Sequence, residues 1–366
     1  MKILIDLTSL DDNFSGIERY ALNISKQMII QDNKNNYVLV FKNKIHEEFQ
    51  KFSERKNVEL KVIHGNNRLI FNQIILPSKL YRIRADKYLF LAFPSPILFL
   101  KKGIINTIHD LTCWDYPKTM KFLSKWYFRI SISNAMKCSE RILTVSNFSK
   151  ERISQKFNNK KNIDVIYNGV SEVFKNFIYD SESDKNKYNI PENYIMALGT
   201  LEPRKNLELL IKAFVELKKE NKLSDKLVLV GRKGWKFDSI AKNIDESIKK
   251  DIIFTGFVED KDLPNIYYNA NLFVFPSVYE GFGIPLIEAI TIGTKVVISD
   301  INVFKEILGD YELSFRVEDL LDLKAKIIEA LENRKDNKVY ELRKKIKCYR
   351  WEISAQKLIQ ILKREE

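Results

Sequence analysis

The chain has 366 residues, of which 45% are hydrophobic and 30% charged. That excludes a disordered polymer and suggests two domains at roughly 100–200 residues each. The 61 Lys and Arg against 48 Asp and Glu leave a net charge of +13, which attracts nucleic acid, anionic membrane or phosphorylated ligands without choosing among them; a coding bias toward Lys, Ile and Asn explains it equally well. Three widely spaced cysteines, Cys113, Cys138 and Cys348, form no C-x-x-C, which argues against a disulfide framework or zinc site and fits a reducing cytosol.

In chain order, the N-terminus MKILIDL has Asp6 interrupting a very short apolar run and makes no signal peptide. Nearly continuous apolar runs, expected of strands covered on both faces, begin at Lys2, Tyr37, Val58, Tyr88, Ile104, Arg141 and Ile163. A helix is expected from about Gly16 to Gln31, with Ile17, Tyr20, Ala21, Ile24 and Met28 on one face. The most apolar stretch, Tyr88 to Leu100, is too short to span a bilayer and contains Pro94 and Pro96, so a soluble or peripheral protein is expected. Residues Glu172 to Glu192 are polar and read as a linker.

Strand runs then resume at Tyr194, Lys226, Ile252, Leu272 and Lys295, separated by helix patterns. Two rounds of β-α alternation imply two α/β domains with parallel sheets, residues 1–175 and 190–350, facing a common cleft in which the carboxyl ends of the strands meet a ligand. Whether the last helix candidate, Trp351 to Arg364 within residues 351–366, crosses back to the first domain is left open by the sequence.

Two segments point to phosphate chemistry. In FPSVYEGFGIPLIEAI, from Phe275, a strand ends in a glycine-containing loop and a helix starts at about Pro285. The N–H groups from Gly283 to Leu286 would then face an anion at the positive helix end. Glu280 lies before the loop and Glu288 in what reads as the helix's first turn; carboxylates flanking a phosphate make sense if they bind sugar hydroxyls. For Glu288 alone, complementing the helix dipole would suffice. In ALGTLEPRKNLELLIKAF, from Ala197, Arg204 and Lys205 precede a helix start, where cations oppose the dipole unless an anion lies between. Solvated basic residues are the plain alternative. Asp260 and Asp262 suggest a D-x-D metal motif but read better as the cap of a helix near Leu263. Asp319 and Asp322 read as one helix face.

Together with SGIERY (from Ser15), VSNFSKERI (from Val145), LVLVGRKGW (from Leu227) and FTGFVEDKDLPNIYYNANLF (from Phe254), these segments resemble family 4 of the retaining glycosyltransferases over essentially the whole chain, most densely from Ala197 to Ile290. The resemblance implies the GT-B fold of two Rossmann-like domains. It also implies transfer of a sugar from a nucleotide diphosphate sugar to a glycan acceptor. It makes Arg204 and Lys205 the diphosphate cations and gives Glu280 the transferred sugar's hydroxyls and Glu288 the ribose. Gly281, Phe282, Gly283, Ile284 and Leu286 line the donor, and the backbone near Phe257 and Val258 meets the base. Gly16 lies near the diphosphate or acceptor, and His109 hydrogen-bonds the transferred sugar; without the family, a lone His reads as a packed or capping residue. Many members have Gly-Arg-Leu where this chain has Gly199-Thr200-Leu201, so the arginine is displaced to Arg204, as in the subgroup with E-P-R-K-N. That subgroup leans toward GDP-mannose and surface polysaccharide.

No cofactor and no metal are expected to be required. The stretch from Lys118 to Arg129 mixes lysines with aromatic residues. It fits an anionic membrane surface or an ordinary helix with snorkelling lysines; the first motivates a lipid-linked acceptor and a cytoplasmic location at the inner face of the membrane. A nucleotide-sugar epimerase of the same superfold and a basic nucleic-acid-binding protein are the competing readings. The second lacks a recognisable motif, and an NAD enzyme lacks a G-x-G-x-x-G after a strand.

Overall fold

A computed structural model describes residues 1–10, 15–158, 161–179, 187–200, 202–231, 246–333 and 338–363. Leu201, the Arg232–Trp235 part of the LVLVGRKGW segment and the last three residues of the 351–366 segment lie outside that set. The chain divides into two compact units, Met1–Gly169 with Tyr349–Glu366, and Val170–Cys348.

The first unit holds seven strands: β1 (Lys2–Asp6), β2 (Asn36–Lys42), β3 (Val58–Ile63), β4 (Lys87–Phe90), β5 (Ile104–Thr107), β6 (Arg141–Thr144) and β7 (Ile163–Val165). All neighbouring pairs are parallel, in the order β3-β2-β1-β4-β5-β6-β7. The strands are apolar throughout because both faces are covered: Leu4, Val38, Val40 and Phe90 sit under Phe71, Leu76 and Leu80, while Ile142 and Ile163 sit under Ile132 and Met136. The helix Gly16–Gln31 opens with a capping box, in which the Ser15 N–H donates to the Glu18 carboxylate at 2.9 Å. The helix Trp351–Lys363 packs on it. Its Trp351 meets Tyr20 with ring centroids 6.1 Å apart, and the Gln31 amide donates to the Glu352 carbonyl at 3.1 Å.

The second unit holds β8 (Tyr194–Leu198), β9 (Lys226–Val230), β10 (Ile252–Gly256), β11 (Leu272–Phe275), β12 (Val296–Ser299) and β13 (Ser314–Phe315). These are again all parallel, in the order β10-β9-β8-β11-β12-β13. The helices Leu207–Lys219 and Leu320–Glu332 bury Leu210, Phe214, Leu323 and Ile327 against Leu227, Leu229 and Val297. In each sheet the order reverses at the first strand, between β1 and β4 and between β8 and β11. Such a reversal opens a crevice beyond the carboxyl ends of the two strands, because their connections leave in opposite directions.

Two expectations are corrected. Asp262 stands at the N-cap position of the helix Leu263–Asn269, but its carboxylate does not cap it; it accepts instead from the Tyr188 hydroxyl at 2.7 Å and the Lys187 ammonium at 2.9 Å. An ionised donor and a hydroxyl outcompete a backbone N–H for the same oxygens. Asp319 is a cap rather than part of a helix face: it accepts the Asp322 N–H at 3.0 Å.

Candidate active site

In the second unit the connections leaving β8 and β11 carry Arg204, Lys205 and Glu280, and the strand-order reversal brings them together. Pro203 opens a single 3₁₀ turn, Pro203–Lys205. Asn206 follows with φ 51° and ψ 31°, a left-handed conformation that asparagine tolerates better than most residues, and the chain enters the helix Leu207–Lys219. The turn is pinned to the other connection by the Val278 N–H, which donates to the Arg204 carbonyl at 3.0 Å.

An ion triad results. The Arg204 Nη1 donates to Glu280 Oε2 at 2.6 Å and to the Tyr279 carbonyl at 2.9 Å, and Lys205 Nζ donates to Glu280 Oε1 at 2.7 Å. Lys205 also stands 5.3 Å from the centroid of the Phe275 ring. Glu280 is buried, at 7% exposure. Burial by itself would raise its carboxyl, but the Arg204 and Lys205 charges overcome that and hold it at about 2. Burial pulls the Lys205 ammonium below the usual lysine range; Glu280 opposes that shift and Arg204 reinforces it. Two cations and one carboxylate give the triad itself a net positive charge.

Beyond Glu280 the helix Ile284–Ile292 begins, with Gly283 as its N-cap. Gly283 has φ +135°, and a Cβ there would lie 2.9 Å from a ring carbon of Phe304, so only glycine fits this turn. The Leu286 N–H donates to the Gly283 carbonyl at 3.1 Å, which removes it from the row of N–H groups expected to face a ligand. Pro285 has none, and those of Gly283 and Ile284 remain outside the helix ladder. Glu288 is the fifth residue of the helix, one position deeper than expected and so past its first turn, and is 1% exposed. A side chain so placed does not serve the helix dipole, whose effect is confined to the first turn. Phe282, next to Gly283 in sequence, is buried, Val258 is buried, and Phe257 is exposed.

The sequence contained a further signal that went unread. Glycine follows β8 and β9 and closes β10: Gly199, Gly231 and Gly256, with φ of 154°, 141° and 74°. A Cβ on Gly231 would lie 2.3 Å from the Gly199 carbonyl oxygen. The ends of these neighbouring strands therefore approach backbone to backbone, and the Lys205 stem lies against Gly199, 3.3 Å from where a Cβ would stand.

In the first unit, His109 follows β5, and its Nε2 lies 2.9 Å from the Leu91 carbonyl, just past β4. A carbonyl only accepts, so Nε2 carries the proton. Burial lowers the imidazole pKa, against the Leu91 carbonyl and the charges of Asp110 and Glu18, so the ring is neutral at pH 7 and Nδ1 is its acceptor. Tyr20 packs edge-on against it, with centroids 5.0 Å apart. Gly16 is the first residue of its helix.

Asp6, the last residue of β1, entered the sequence reading only as a polar break. Burial raises its carboxyl to about 6, against the Thr8 hydroxyl and N–H, which lower it; the Thr8 N–H donates to Oδ1 at 3.1 Å. A folded-state value above the unfolded one means that ionising Asp6 works against the fold. The penalty is absent below about pH 4, grows up to about pH 6 and then stays constant. Asp6→Asn keeps an acceptor for Thr8. It is expected to stabilise the protein by at most about 3 kcal/mol at pH 7.5 and by almost nothing at pH 4, read from urea midpoints. An equal gain at both pH values would assign the effect to something other than ionisation.

Among the described residues, no helix is long and apolar enough to cross a membrane. Comparison with known proteins gives two family matches: Glycosyltransferase Family 4 over residues 14–173 and Glycosyl transferases group 1 over residues 180–349. The chain is 27% identical to O-antigen chain mannosyltransferase B of Escherichia coli, over 91% of each chain. It is 34% identical to O-antigen chain mannosyltransferase RfbU of Salmonella typhimurium, over 58% of this chain and 56% of that one. Among solved structures, Anabaena HepE in complex with UDP and glucose matches with a TM-score of 0.74 over 99% of both chains, at 16% identity, a likeness of fold. The two sheets are therefore the two halves of a GT-B fold.

Proposed function

The chain belongs to family 4 of the glycosyltransferases and is a hexosyltransferase, and from that premise we propose that it transfers mannose from GDP-mannose, with retention, to a lipid-linked glycan acceptor in surface polysaccharide assembly. The observation that carries the reading is the Arg204–Glu280–Lys205 triad beside the helix end at Gly283. It is a preorganised cationic site where a diphosphate leaves. The mannosyltransferases of O-antigen synthesis among the relatives support the sugar and the product class.

In this reading Arg204, Lys205 and the N–H groups of Gly283 and Ile284 stabilise charge growing on the leaving diphosphate. Glu280 orders both cations and meets the sugar hydroxyls, the buried Glu288 takes the ribose hydroxyls, and the backbone at Gly256–Val258 takes the base. His109 accepts a sugar hydroxyl proton at Nδ1. The anomeric carbon–phosphate oxygen bond breaks as the acceptor oxygen attacks from the same face, and the acceptor's proton passes to the leaving phosphate. Product with inverted anomeric configuration by NMR would exclude that route. No metal takes part, and the protein works at the cytoplasmic face of the membrane.

A thermal-shift titration with GDP, UDP, dTDP and ADP sugars tests the reading. A rise in Tm with GDP-mannose that survives EDTA and is lost in Glu288→Ala is expected. No rise with any nucleotide would sink the donor site, and turnover of the nucleotide sugar without acceptor would favour an epimerase.

A further inference from the structure

The first unit carries an apolar face that its core does not need. The helix Phe122–Cys138 has two apolar stripes. One, through Ile132, Ala135 and Met136, is buried. The other, Phe122, Trp126 and Ile130 at i, i+4 and i+8, is 67%, 46% and 54% exposed, with Leu123 beside it at 80%. One stripe suffices to pack a helix on a sheet, so the second is left over.

Two more segments extend that face. The stretch Arg68–Leu80, helical with a π-turn at Phe71–Ile75, buries Phe71, Leu76 and Leu80 but leaves Leu69, Ile70 and Ile74 exposed. The loop after β4 buries Phe99 and exposes Leu98 and Leu100. Hydrogen bonds tie the three together. The Gln73 amide donates to the Tyr127 hydroxyl at 3.3 Å and accepts from the Ile97 N–H at 3.0 Å. The Tyr81 hydroxyl donates to the Leu98 carbonyl at 3.1 Å and accepts from the Leu100 N–H at 2.9 Å.

Charge decides what this face meets. Residues 66–85, 91–109 and 116–139 contain no Asp or Glu, whereas Arg68, Lys79, Arg82, Lys102, Lys118 and Lys121 are exposed on them. Lys125 and Arg129 lay their cationic heads over the Trp126 ring, 5.7 and 5.2 Å from its centroid. A protein partner would meet an interface core depleted of charge. Exposed Leu, Ile, Phe and Trp interleaved with cations of a single sign suit the headgroup zone of an anionic bilayer.

We propose that these three segments form one docking surface for anionic membrane, and that the acceptor reaches the sheet edge while its lipid stays in the bilayer. The loop after β4 links the two ends of this arrangement: it starts at Leu91, whose carbonyl holds His109, and runs on to Leu98 and Leu100. The acceptor's route rests on the transferase reading; the membrane contact does not.

Co-sedimentation of the full chain with vesicles tests it, using phosphatidylcholine alone and with phosphatidylglycerol, at low and high salt. Binding to the anionic vesicles at low salt is expected. Lys118→Ala with Lys121→Ala, which removes no packing, weakens it roughly 30-fold. Leu98→Glu with Leu100→Glu, and Leu69→Glu with Ile74→Glu, weaken it at least as much, with unchanged circular dichroism. Equal binding to neutral vesicles overturns the proposal. So does loss of binding in Leu123→Glu alone, with the loop and stretch variants intact, or a concentration-dependent dimer abolished by the same substitutions. Vesicle binding without any nucleotide-sugar Tm shift sinks the transferase reading and leaves the surface standing. A shift without vesicle binding sinks the surface alone.

Discussion

Glu280→Gln is expected to lower folding stability by about 3–5 kcal/mol and the rate of sugar transfer on the order of 10²–10³-fold. Glutamine keeps the shape and some hydrogen bonding but removes the charge that offsets the half-buried Arg204 and Lys205 side by side. The pH dependence has a definite sign. A carboxyl held at about 2 in the folded protein, against 4.5 unfolded, contributes stability that is complete above about pH 5 and is lost as the pH falls toward 2. The unaltered protein should therefore lose stability across that window, and the variant less steeply. Urea midpoints from pH 3 to pH 7 read the difference directly; parallel curves would mean that the ion triad contributes nothing. GDP alone should raise the Tm of the variant more than that of the parent, because the diphosphate supplies the anion that the substitution removed.

The fold and several local elements of the candidate site were legible in the sequence, and what was not has a physical reason. The parallel strands announce themselves because burial on both faces leaves no polar alternation to obscure them, as in YVLVF at β2 and LFVF at β11. The glycine-capped helix start was visible because Gly283 and Pro285 each have a local geometric role. The triad was not, since nothing local links Arg204 to Glu280; only the reversal of strand order between β8 and β11 brings the ends of their connections together. Asp262 misled for the opposite reason. Its position obeys the capping rule, but its partners Lys187 and Tyr188 lie far away in sequence. The exposed stripe on Phe122–Cys138 was half legible: the residue types were plain, whereas the direction each side chain faces depends on which stripe the sheet claims.

Arg204 and Lys205 look alike in sequence, and their geometries set different expectations. Arg204 uses one guanidinium nitrogen for both Glu280 and the Tyr279 carbonyl, and its planar fork suits two phosphate oxygens. Arg204→Ala should lower the rate at saturating donor on the order of 10²–10³-fold, and Arg204→Lys should restore little, because a point charge cannot reproduce bidentate contact. Lys205 is the more enclosed of the two, set against the Phe275 ring. Lys205→Met replaces its stem with a similar apolar volume and removes only the charge. It should therefore cost less stability than Lys205→Ala while still lowering the rate. A loss confined to kcat places either cation in the transition state, whereas a rise in KM alone places it in ground-state binding. Combining Arg204→Ala with Glu280→Gln gives the sharpest test. Arg204→Ala leaves Glu280 with Lys205 as its one remaining triad cation and Glu280→Gln leaves Arg204 without its carboxylate, whereas the pair removes both partners of one contact together, so the double variant should be more stable than the sum of the two losses. Strict additivity would mean that the two side chains, despite their 2.6 Å contact, act independently.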